Sequence, residues 1–238
     1  NWSEELLSAL VISNSLAPVA YERDEWGSGW SDDDNDCINT RHEVLIFESL
    51  ETVTMSSSGC TVATGEWFDA FSGTFITDPS SLDIDHFVPL ANAHDSGGWA
   101  WSTETKHSFY NDMTDPQHLI AVTASANRSK GSRGPDEWKP PDSAYWCQYA
   151  DSWVDIKIRW GLTVNSAEFA ALQSMLGACS DQPTGTYLPS APVSTATRPV
   201  ITTTSLTPTT TTEISTTTTG PPEWVELRYF PYMPDLQS

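Results

Sequence analysis

The sequence predicts an α+β domain, and three observations carry that prediction. Short alternating runs separated by turn glycines occupy the first half of the chain. Two segments with helical apolar spacing close the folded part near residue 177, and four widely spaced cysteines are available to cross-link it. With 238 residues and 38% hydrophobic content, the chain has room for one sizeable core plus additional segments.

Residues 5–12 (ELLSALVI) read as a short helix or strand, and 42–50 (HEVLIFESL) carry the spacing of a helix. The run GCTVATGEWFDAFSGTFI, 59–76, alternates and holds Gly65 and Gly73 at turns, so two or three short antiparallel strands lead into a strand at 82–87. A long loop separates that strand from the next, HLIAVT at 118–123, which is followed by a short helix over 124–130 that stops at Gly131. Two amphipathic helices are expected at 143–160 and 165–177, the second opened by Asn165 and Glu168 at the spacing of a capping box.

The folded domain therefore spans 1–179. Residues 180–222 are dominated by Thr, Pro and Ser; they cannot bury enough apolar surface to fold and read as a linker, ahead of a C-terminal tail or truncated module at 223–238. No run of eighteen apolar residues occurs, and the opening residues lack a basic region ahead of an apolar stretch. Neither a membrane span nor an intact signal peptide is expected.

Cys37, Cys60, Cys147 and Cys179 include no C-x-x-C pair, which argues against a zinc knuckle or a redox motif. Two disulfides and an extracellular, oxidising compartment are the expectation. Three connectivities are open; the sequential one closes the shortest loops, each worth about 3–4 kcal/mol. The net charge of −21 repels polyanions at a distance, yet four of the eleven Lys and Arg residues (Arg128, Lys130, Arg133, Lys139) gather in one short segment.

The chemistry centres on DIDHFVPLANAHDSGGWAW, 83–101. Asp85 and His86 stand side by side at the end of a strand just ahead of Pro89, where an imidazole that is neutral near pH 7 can accept a proton and a carboxylate can hold a cation. His42, His94 and His107 read as surface or supporting residues. A reading from a different class is a carbohydrate-binding module or glycosidase, because the chain carries eleven tryptophans and a Thr/Pro-rich linker, and Trp99, Trp101 and Trp138 are able to stack on sugars. It lacks a recognisable pair of carboxylates. In DDDNDCINTRHE, Asp32, Asp34, Asp36 and Glu43 fall at positions 1, 3, 5 and 12 of an EF-hand count, a candidate structural Ca²⁺ site, although Cys37 stands where that count wants glycine.

Strand, loop, strand and short helix, with Asp85-His86 closing the first strand, His118 opening the second and Asn127 on the helix, resemble the ββα-metal finger of HNH endonucleases. The strings DHFVPLANA, SGGWAWS and ASANRSKGSRGPDEWKPP resemble the secreted bacterial HNH nucleases related to the GmrSD C-terminal domain. The likeness extends to YERDEWGSGWSDDDNDCINTRHEVL, 21–45, and on to Cys179, about three quarters of the chain.

The resemblance implies a ββα core at about 82–131, with His86 as the general base and a divalent metal, Mg²⁺ or Mn²⁺, held by Asp85 and Asn127. It also implies DNA, with RNA as a second candidate, cut with little sequence preference to leave 5′-phosphate ends. His118 departs from the family's usual Asn: it either braces the loop carrying the catalytic His or joins the metal shell. Arg128, Lys130 and Arg133 are expected to hold flanking phosphates, with Arg23 and Arg41 as further substrate contacts. No membrane and no obligate protein partner are implied.

Overall fold

The computed structural model describes residues 2–179, with side chains from residue 5 onward; the expected linker and tail lie outside the described residues. Helix α1, Trp2–Ser8, is followed by a stretch without regular structure in which Ile12 makes an isolated parallel bridge to Val164. Helix α2, Thr40–Glu48, opens where the Asn39 side chain accepts the His42 N–H. Two small antiparallel hairpins come next: β1, Thr54–Met55, with β2, Val62–Thr64, and then β3, Trp67–Asp69, with β4, Thr74–Ile76. Gly65, expected at a turn, has a different reason to be glycine, since a Cβ there would lie 2.6 Å from the Trp67 ring.

The centre is a third antiparallel pair, β5, Leu82–His86, and β6, Leu119–Thr123, in a register that sets Asp85 opposite Ile120 and His86 opposite Leu119. Leu82, Ile84, Leu119 and Ala121 pack with Val44, Leu45, Val62 and Trp67. Ile120 and Val122 belong to the larger core formed with Phe71, Phe87, Ala126 and Tyr149. Burial on both faces explains why β6 reads as a continuous apolar run without alternation.

The outer edge of β6 is closed by side chains. The Ala121 N–H donates to Glu48 Oε2 at 2.7 Å and the Thr123 N–H to Asp69 Oδ2 at 3.2 Å, while Arg41 donates to the Leu82 carbonyl on β5 at 2.9 Å.

The expected long loop between these strands holds two helices, α3, Leu90–Asp95, and α4, Thr103–Tyr110. Pro89 directly precedes the first and Ser102 caps the second by accepting the Thr105 N–H. The paired Gly97 and Gly98 between them, and the polar content of STETKHSFY, hide the helical period. Helix α5, Ala124–Lys130, starts immediately after β6, with the Thr123 side chain accepting the Ala126 N–H, and ends at Gly131, whose φ of 57° favours glycine.

Helices α6, Trp146–Arg159, and α7, Ser166–Leu176, complete the domain, and α7 opens with the expected capping box between Asn165 and Glu168. The disulfides are Cys37–Cys60 and Cys147–Cys179, the sequential pairing. The first joins the acidic loop to the turn between β1 and β2, and the second joins the start of α6 to the chain just beyond α7. Among the described residues, no helix is long and apolar enough to cross a membrane.

Candidate active site

Adjacent residues of a strand point to opposite faces, so the end of β5 presents two different chemistries. Asp83 and Asp85 face α5, on which Asn127 and Lys130, three residues apart, share one side. Asn127 Nδ2 donates to Asp83 Oδ2 at 3.1 Å, and Lys130 Nζ donates to Asp85 Oδ2 at 2.7 Å and to the His86 carbonyl at 2.9 Å. On the other face, the His86 ring stacks on Trp30 with centroids 5.3 Å apart and planes 14° from parallel.

Its Nε2 lies 2.9 Å from the Tyr110 carbonyl. A carbonyl only accepts, so Nε2 carries the proton and Nδ1 is left as the basic nitrogen. Tyr110 ends α4, where helix carbonyls lack intrahelical partners, and the preceding Phe109 carbonyl receives His118 Nε2 at 2.7 Å. Consecutive orphan carbonyls of one helix thus orient both imidazoles.

Asp85, His86 and Asn127 line one cleft of about 340 Å³, together with Tyr21, Arg23, Pro89 and Arg128. His86 is 8% exposed and Asp85 4%, so both sit at its floor. Burial drives the His86 imidazole down to about 3, with nearby His118 adding to the effect; the ring is therefore neutral across the ordinary pH range, with Nδ1 unprotonated. Burial also pushes the Asp85 carboxyl up and the Lys130 ammonium down, each opposed by the other's charge at 2.7 Å.

The donor set fits a hard divalent cation. Asp85 keeps one oxygen beyond its bond to Lys130, and donation of Nδ2 to Asp83 leaves the Asn127 amide oxygen as its remaining polar atom.

Of the expected substrate contacts, Arg23 and Arg128 line the cleft. Lys130 does not stand at the surface: it is fully buried beneath α5, because its ammonium closes the Asp85 pair. Arg41 is likewise turned away, donating to the Pro79 and Leu82 carbonyls, and Arg133 Nε donates to the Lys130 carbonyl. His118 is 1% exposed, packed edge-on against Phe109, with Nδ1 3.8 Å from Asp112 Oδ2 and its other nitrogen taken by Phe109. Those contacts tie His118 to the end of α4, next to the carbonyl that holds His86.

His94 is buried against the Val19 carbonyl, and His42 Nδ1 accepts the Val62 N–H. Trp138 is 8% exposed and Trp101 packs on Trp26, Phe109 and Trp160, so two of the three tryptophans of the carbohydrate reading serve the core. The carboxylates of Asp32, Asp34 and Asp36 do gather within 4.8 Å of one another, and Cys37 adopts a φ of 75° where an EF-hand count places glycine. Trp30, Asp83 and the Tyr110 carbonyl were not singled out in the sequence; only Asp83 leaves a signal there, sharing a strand face with Asp85.

An antiparallel strand pair leading into a short helix, with His at the end of the first strand and Asn on the helix, defines a nuclease of the HNH type. The chain belongs to the family of GmrSD restriction endonucleases, C-terminal domain, whose model matches residues 24–175. It is 41% identical over 177 residues to an uncharacterized secreted protein of the fungus Arthroderma benhamiae, covering 74% of this chain and 84% of that one. The relative is fungal, where the sequence strings pointed to bacterial nucleases. No solved structure matches the chain. The two disulfides and the secreted relative agree on an extracellular protein.

Proposed function

We propose that residues 1–179 form a metal-dependent endonuclease that hydrolyses phosphodiester bonds of DNA, and of RNA as a second substrate, with little sequence preference. One observation carries this reading: His86, its Nε2 proton fixed on the Tyr110 carbonyl, shares a cleft with the oxygen donors Asp85 and Asn127. A Mg²⁺ or Mn²⁺ ion held by those two residues would offset charge on the phosphate and the departing oxygen.

His86 Nδ1 takes a proton from water as the water oxygen bonds to phosphorus; the bond from phosphorus to the 3′ oxygen breaks and that oxygen is protonated from solvent, leaving a 5′-phosphate. Arg23 and Arg128 hold the flanking phosphates from the cleft walls, with Arg133 beyond them. Low sequence preference is expected because α5 spans only 7 residues and spends Asn127 and Lys130 on β5. Asp32, Asp34 and Asp36 offer a separate place for a structural Ca²⁺ ion. Residues 180–222 serve as a linker to the tail at 223–238.

The test incubates the full chain with plasmid and with RNA in Mg²⁺, Mn²⁺ or chelator, beside His86→Ala. Cleavage is expected with metal, none with chelator, and a loss of about a thousandfold or more in the variant. Full activity of His86→Ala would remove the base. Intact nucleic acid under every metal, with retention on an insoluble polysaccharide, would return the carbohydrate reading.

A further inference from the structure

We propose that Lys130 is a positioning residue, whose ammonium clamps the Asp85 carboxylate and the His86 backbone together and so sets the geometry of the cleft floor; this rests on the nuclease reading above. Lys130 is 0% exposed, and its Nζ reaches Asp85 Oδ2 at 2.7 Å and the His86 carbonyl at 2.9 Å. The ammonium also lies 5.9 Å from the centre of the Phe71 ring, which walls it off on the core side. A phosphate cannot reach a group so enclosed, and the two acceptors it already holds belong to consecutive residues of the reactive strand end.

The clamp has two consequences. It engages one oxygen of Asp85 within the protein and leaves the other without that bond, as the atom that would be offered to a metal. It also ties the peptide carrying His86 to α5, the helix that carries Asn127. Base and metal ligands are thereby referred to a single rigid junction, and small displacements of such groups are costly to catalysis.

Lys130→Met is compared with Arg128→Ala in the full chain. The clamp predicts that Lys130→Met lowers kcat by about a hundredfold with KM within about threefold, and moves the His86 ring signals in histidine-labelled NMR spectra. Arg128→Ala raises KM and leaves those signals in place. A Lys130→Met protein with kcat within about threefold of the parent, or with raised KM and unmoved His86 signals, overturns the proposal.

If neither the parent nor any variant cuts nucleic acid, the nuclease reading fails, while the His86 signals still decide the clamp. Methionine leaves a buried carboxylate unpaired, so if Lys130→Met does not fold, Lys130→Gln is read instead: it retains an N–H donor, so a smaller fall in kcat at unchanged KM with shifted His86 signals is expected, and a raised KM with unmoved signals overturns the proposal. The parent supplies an independent measurement. Its Lys130 ammonium protons are expected to be protected from solvent exchange and unmoved by saturating thymidine dinucleotide, and a shift on addition overturns the clamp.

Discussion

His86 and His118 hang from neighbouring carbonyls, Tyr110 and Phe109, yet their surroundings give them different tasks. His86 faces the cleft with Nδ1 as its basic nitrogen. His118 is enclosed by Phe109, Trp160 and Asp112, and burial holds it down at about 4 against an ordinary 6.5, although the Asp112 charge pulls the other way. The unfolded chain therefore takes up the His118 proton first on acidification, so its contribution to stability is complete above about pH 6.5 and is lost as pH falls toward 4. Urea unfolding of the parent and of His118→Gln from pH 7.5 to 4.5 should show their difference shrinking on the acid side, by at most about 1.4 kcal/mol per pH unit. A difference that is constant over that range would mean that His118 is not held neutral.

Among the elements, α3, α6 and α7 are joined by a second buried cation. Lys157 Nζ lies 3.2 Å from Glu168 Oε1, 2.5 Å from both Asn92 Oδ1 and Ser96 Oγ, and Trp153 Nε1 donates to the same glutamate oxygen at 2.6 Å. Glu168→Ala strands the ammonium and removes half of the capping box, so a loss of about 3–5 kcal/mol is expected by chemical denaturation, with Glu168→Gln milder. The ends of α7 were legible because Asn165 and Glu168 carry the capping spacing in the sequence itself.

The strands and helix of the finger were legible too, through β-branched runs, a capping threonine and a closing glycine. Helices α3 and α4 were not, since glycines and polar residues interrupt their period. Lys130 was misjudged for a physical reason: an isolated cation in a basic segment looks solvated unless its partner is known. The partner was there to be read, because D-x-D on a strand and N-x-x-K on a helix each place two polar groups on one face, at matching separations. The Tyr110 carbonyl and Trp30 left no such trace, since a backbone acceptor and a stacking ring gain their meaning only from tertiary placement.

At the scale of the molecule, scarce positive charge is divided between cations held in ion pairs and cations that are not. Lys106, Lys130, Lys157 and Arg159 are paired with Glu25, Asp85, Glu168 and Asp112, whereas Arg23, Arg128, Arg133 and Lys139 have no ion pair with a described carboxylate. If all four of the latter meet phosphates, the logarithm of the association constant for a single strand should fall with the logarithm of salt at a slope no steeper than about −3. A much steeper slope would mean that cations outside these four take part. The overall charge of −21 acts over distances that salt screens, so raising ionic strength weakens the unfavourable far field together with the local contacts.

The carboxylates that occupy the β6 N–H groups have a further consequence for the molecule in company. A two-stranded ribbon with bare margins invites a foreign chain to dock alongside it and lengthen the sheet. Here the Glu48 and Asp69 side chains already occupy that margin, so an incoming strand would have to displace both hydrogen-bonded carboxyl groups before making its first rung. Lengthening of the sheet at the β6 margin is thereby disfavoured by contacts the fold makes for its own stability.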